Sequence, residues 1–203
     1  MAEGIKIEIF KQKNADELTK DLADPASRLE TGSACAVTAA LAMALLERAG
    51  ALTAKERPDD ARINYILRNA EILRTYMVHL IDEDVKSRHP LRRAMKEGGE
   101  REIEAARQSA VAIPGEIINM MGQALELAKE LSAVCPKDAM HYLGESAERS
   151  MAAIKSARLF IVDMSDKCSD ETYRFVVRRE NEITLKSCEA CASEIMNAVE
   201  AAI

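Results

Sequence analysis

Residues 34 to 46 run from Ala34 to Leu46 with apolar side chains, many of them alanine, on every side of a helix, and only Thr38 interrupts them. A helix without a polar face belongs in the middle of a bundle. These 13 residues are too few to cross a bilayer, which takes about 20, and Glu47 and Arg48 close the run. The expected structure is a buried central helix. Gly32, Ala36, Ala40 and Ala44 are spaced four apart along it, a ridge of small residues that lets neighbouring helices approach closely. The polar turn Thr31, Gly32 and Ser33 at its start is the first place to look for a ligand.

A chain of 203 residues with 48% hydrophobic and 31% charged residues can bury a full core, and one domain over 1–203 is the default. A net charge of −6 argues against a nucleic-acid partner, which calls for a basic stripe. The clusters Arg88, Arg92, Arg93 and Arg174, Arg178, Arg179 stand beside carboxylates and are expected on solvated helix faces. Five cysteines, an odd number, and no charged-then-apolar leader point to the reducing cytoplasm, with no membrane partner.

Eight glycines and five prolines separate long stretches with a 3.6-residue apolar period, so the fold class is all-α, a bundle of about six helices around the alanine-rich one. Ile5, Ile7 and Ile9 alternate with polar residues and suggest an extended arm within residues 1–13. Asn14 caps a first helix that Pro25 stops, and Pro58 starts a third that His89 and Pro90 end or kink. A fourth runs from about Glu100 through an interruption at Pro114 and Gly115 to Val134. A fifth opens at Pro136 and Asp138, and a sixth runs from Ser169 and Asp170 to Ile203.

The apolar stripe of the third helix, Ile66, Ala70, Leu73, Met77, Leu80 and Ile81, lands one turn later on Asp84. An inward-facing aspartate is either a general base or substrate anchor in a cavity, or a salt-bridge or capping partner near Pro90. Asp82 and Glu83 lie off the stripe, on the solvated side. His141 falls in the first turn of the fifth helix, where the helix dipole favours the neutral, proton-accepting imidazole, and Tyr142 beside it can stack on a flat ligand. A surface role for His141 remains open. His79 and His89 join no metal-binding spacing, and Cys188 and Cys191, two residues apart inside a helical stretch, fit apolar packing better than metal binding. No phosphate-binding loop, dinucleotide fingerprint or nucleophile elbow is present.

Four segments occur in the order of one known family: the Gly32-Ser33 turn with its alanine-rich helix, Asp82 to Val85, Val111 to Pro114, and Ala124 to Leu131. From about Leu18 to Asp170 the chain resembles the formiminotetrahydrofolate cyclodeaminase and methenyltetrahydrofolate cyclohydrolase family. The resemblance implies a dimeric helical bundle acting on the one-carbon bridge between N5 and N10 of tetrahydrofolate, without metal or redox cofactor. Where that family has Pro-x-Pro-Gly-Gly-Gly-Ser, this chain has Ser27 to Ser33 and keeps only the final Gly32-Ser33 pair. Its lysine-rich patch shrinks to Lys55 with Arg57. Its Asp-x-Asp pair is kept as Asp82 and Asp84, but Arg88 replaces a phenylalanine. A Ser-Asp pair falls on His141 and Tyr142, and two asparagines fall on Phe160 and Met164.

On this resemblance Asp84 and His141 relay protons, Gly32, Ser33 and Lys55 position a folate or related pterin, and Thr31, Asp82 and Tyr142 complete the substrate contacts. The replaced residues support an alternative, a family-fold homodimer that binds or assembles without catalysis.

Overall fold

In a computed structural model the described residues, 9–202, form eight α-helices and two short 3-10 turns. The helices are α1 (Ala15–Ala23), α2 (Thr31–Glu56), α3 (Ala61–Ser87), α4 (His89–Glu97), α5 (Glu100–Ala110), α6 (Ala112–Ser132), α7 (Met140–Asp166) and α8 (Glu171–Ala202). Six rods correspond to those expected from the sequence, with the fourth divided into α5 and α6 and α4 added between the third and fourth.

Local chemistry accounts for the boundaries. Asn14 caps α1 through a reciprocal pair with Glu17, each side chain bonded to the other residue's backbone N–H. Asp60, not Pro58, starts α3 by accepting from the N–H groups of Arg62 and Ile63. Pro90 ends α3 and then sits in the first turn of α4, where its missing N–H costs nothing. Pro114 behaves in the same way. The chain breaks at Val111, and Pro114 becomes the third residue of α6. The arm expected at the start lies mostly outside the described residues. Ile9 has an extended backbone and Phe10–Gln12 form a 3-10 turn.

α2 is the hub and packs most extensively against α3 and α7. Cys35, Ala36, Ala39, Ala42, Met43, Leu46 and Ala49 are buried along it, and the Ser146 hydroxyl of α7 donates to the Ala42 carbonyl at 2.9 Å. The helix is twice the length of its apolar run. At 26 residues it is long and apolar enough to cross a membrane, and 50% of its most apolar stretch is buried inside the protein. One face is open as well. Leu41 is 55% exposed and Ala44 is exposed, contrary to a rod buried all round. The ridge of small residues explains this geometrically, because a step of four residues turns about 40° past a full circle. Gly32 and Ala36 therefore face the interior while Ala44 has rotated outward.

Candidate functional site at the head of the central helix

The first turn of α2 is held by a residue from another helix. Glu30 at the N-cap position makes no side-chain cap, and Asp84 of α3 supplies the missing acceptor. Its Oδ2 accepts from the Ser33 N–H at 2.9 Å and lies 3.1 Å from the Ser33 hydroxyl, which also donates to the Ile81 carbonyl at 2.9 Å. Gly32 makes this approach feasible, since a Cβ there would overlap the Asp84 carboxylate. Asp84 is fully buried, and burial pushes its carboxyl above the ordinary aspartate range against the opposing pull of Arg88 and the Ser33 hydrogen bonds.

Arg88, expected in solvent, is only 3% exposed. One helical turn after Asp84, its Nε reaches Asp84 Oδ1 at 3.3 Å, its Nη1 pairs with Glu30 Oε2, and its guanidinium lies 4.1 Å from the Phe160 ring centroid. Its Nη2 has no hydrogen-bond partner among the described residues. A buried carboxylate requires a buried cation, and the spacing of four residues between Asp84 and Arg88 was the available signal for the pair. Asp82 is likewise buried, contrary to its expected solvated position. It accepts from the N–H groups of Phe10 (2.8 Å) and Lys11 (3.3 Å), and so tethers the segment before α1.

Beside this cluster lies a cleft of about 540 Å³. Thr31, Ala34, Cys35 and Thr38, one stripe of α2, form a wall, the segment from Asp24 to Glu30 faces them, and Ser156 of α7 closes one side. Among the described residues its carboxylates are Asp24 and Glu30. The Cys35 thiol is pushed up to about 12 by burial and by the neighbouring Asp84 charge, so it stays protonated.

Of the residues singled out from sequence, Thr31, Gly32, Ser33 and Asp84 come together here. Others do not. His141 and Tyr142 lie at the opposite end of α2: Arg48 stacks 4.7 Å from the Tyr142 ring, whose centroid is 3.8 Å from that of His141. Fifteen residues separate Ser33 from Arg48 along one helix, a rise of roughly 22 Å. His141 is exposed there, and within the subunit it shares no cleft with Asp84. Lys55 is exposed in the last turn of α2, roughly 33 Å along the axis from Ser33. Nothing in the sequence singled out Asp24, or the pairing of Glu30 with a buried Arg88. Asp24 and Glu30 stand, exposed, in a connection without periodicity, where nothing in the chain marks which side chains border a cleft. Cys188 and Cys191 are buried on α8, and burial pushes the Cys191 thiol up to about 12.

The sequence model of the formiminotransferase-cyclodeaminase family matches residues 14–182. No curated protein matches. Among solved structures, a formiminotetrahydrofolate cyclodeaminase from Thermotoga maritima superimposes with a TM-score of 0.87 at 20% sequence identity, covering 94% of this chain and 98% of that one. At that identity the likeness establishes the fold.

Proposed function

Because the chain belongs to the formiminotransferase-cyclodeaminase family, we propose that it binds a tetrahydrofolate derivative in the cleft at the head of α2 and acts on the N5–C–N10 one-carbon bridge. The supporting observation is the cleft itself. At about 540 Å³ it falls within the range of small-molecule sites, roughly 300–1,000 Å³, and it is lined by Thr31 and Ala34, the residues on either side of the buried Gly32-Ser33 pair.

The chemistry asks little of the protein. A methenyl carbon between two nitrogens is already electron-poor, so water adds without a nucleophilic side chain, a metal or a redox cofactor, and a positioned carboxylate takes the water's proton. That role goes to Asp24, which faces the cleft and makes no ion pair among the described residues. Asp84, sealed behind Ser33, is a positioning residue that fixes the helix start and Arg88. In a spectrophotometric assay, loss of the near-ultraviolet absorbance of methenyltetrahydrofolate accelerates with the chain present. Asp24→Asn slows it by about 10²–10⁴-fold. No acceleration by the intact protein rejects the enzyme reading.

One observation favours a second reading. Asp84 is fully buried with both oxygens engaged by Ser33 and Arg88, and it does not line the cleft, so the carboxylate of the family motif is not presented to a substrate there. Saturable folate binding without turnover supports a non-catalytic binding or assembly module. Under either reading the open stripe of α2 around Leu41 and Ala44 packs against a second copy, and sedimentation giving only monomer rejects the homodimer. Five free cysteines suit the reducing cytoplasm.

A further inference from the structure

Resting on the folate reading, we propose that Glu30, held in place by the buried Arg88, reads the 2-amino-4-oxo-pyrimidine edge of the pterin ring. The side chains lining the cleft set the requirement: among the described residues Asp24 and Glu30 are its charged groups, Ser27, Thr31, Thr38 and Ser156 its hydroxyls, and no lysine or arginine lines it. Such a surface repels an anionic tail and accepts hydrogen-bond donors. A pterin offers two adjacent donors on one edge, the ring N3–H and the 2-amino group, which match one carboxylate in the two-point geometry a guanidinium uses.

Glu30 is equipped for this and Asp24 is not. Asp24 Oδ1 accepts from the Ala26 N–H at 2.8 Å, and its side chain has no cation behind it among the described residues. Glu30 Oε2 is held by Arg88 Nη1, while its Oε1 accepts no hydrogen bond among the described residues. Arg88 is in turn fixed by Asp84 at 3.3 Å and by the Phe160 ring beneath it. The carboxylate is therefore anchored at one oxygen before a ligand arrives, which cuts the ordering cost of binding. Asp84 then links the two halves of the site: the aspartate that caps α2 also supports the arginine that aims Glu30.

The test measures dissociation constants of tetrahydrofolate and its 2-desamino analogue by fluorescence titration against the full chain and Glu30→Gln, with thermal unfolding confirming that the variant folds. The wild type favours the 2-amino ligand by roughly 10-fold to 100-fold, the worth of a hydrogen bond to a charged group, and Glu30→Gln removes that preference. Equal affinities for the two ligands in the wild type overturn the proposal even if the variant does not fold. Undiminished discrimination by a folded Glu30→Gln also overturns it, as does tighter binding, which would mean that the carboxylate repels the ligand. In each of these cases folate still binds and the parent reading survives. Failure of the wild type to bind either ligand removes both.

Discussion

The two ends of α2 are built on opposite plans. At the N-terminal end, the Ser33 amide, the Asp84 carboxylate, the Arg88 guanidinium and Glu30 form a continuous chain of polar contacts whose middle members are sealed from solvent. At the C-terminal end, Arg48, Tyr142 and His141 stack over one another at the surface with no carboxylate among them. Burial makes every member of the first cluster depend on the others. In the second, each member can be lost with little consequence, because water replaces what is removed. Both clusters contain groups suited to acid–base chemistry. Only in the first are the inner members each fixed by more than one polar contact, the kind of support a ligand contact requires.

The largest expected effect comes from removing Asp84. Asp84→Ala leaves Arg88 buried with Glu30 as its remaining partner and strips α2 of its cap, a combined loss of about 3–5 kcal/mol, read as a lower urea midpoint. A loss below about 1 kcal/mol would show that the N-terminal end is as tolerant as the other. The pH dependence sharpens the point. Because burial raises the folded carboxyl, the folded state binds more protons than the unfolded state between the ordinary aspartate pKa and the raised one. Stability therefore falls as pH climbs through that window. Measured against Asp84→Asn, which does not titrate, the wild type loses ground as pH rises from about 4 toward neutrality. A gain over the same interval would mean that Arg88 outweighs burial.

Gly32→Ala ranks next. The added methyl meets the Asp84 carboxylate, which cannot retreat because Ser33 and Arg88 hold it. The expected cost is about 1–3 kcal/mol, although alanine has the higher helix propensity. At Ala44, on the same ridge but facing outward, a comparable enlargement to valine should cost less than about 0.5 kcal/mol in the monomer. Equal costs at the two positions would remove the contrast between them.

How far these ends could be foreseen follows from what each depends on. The helices were legible because periodicity and boundary signals such as the Asn14 cap are local in sequence, although the α3 start fell on Asp60 and not on Pro58. The inward position of Asp84 was legible too, as the next turn of the stripe from Leu80 and Ile81. Its partners were only half so. Arg88 is four residues away on the same helix, yet its burial depends on Phe160 of α7 and Glu30 of the α1–α2 connection, and neither contact has a sequence signature. Asp82 was misplaced for the same reason, since its exposure is removed by Phe10 and Lys11 folding back over it across more than seventy residues. His141 differs: its helix-start position was legible, but the length of α2 that separates it from Ser33 within one subunit is a property of the assembled bundle.

The smallest expected effect tests that separation directly. His141 is exposed, and its ring contact is with its own neighbour Tyr142, so His141→Ala should change stability by less than about 0.5 kcal/mol. With roughly 22 Å of helix between its end of α2 and Ser33, the substitution should also leave methenyltetrahydrofolate turnover and its pH profile unchanged in the enzyme assay. A fall in turnover together with a flattened rise near neutral pH would mean that the imidazole does reach the reacting carbon. Since one subunit holds the two ends apart, the histidine would then have to come from a second copy. Mixing Asp24→Asn with His141→Ala would distinguish the cases: recovery of activity in the mixture requires a cleft completed across the interface, and no recovery keeps each cleft within its own subunit.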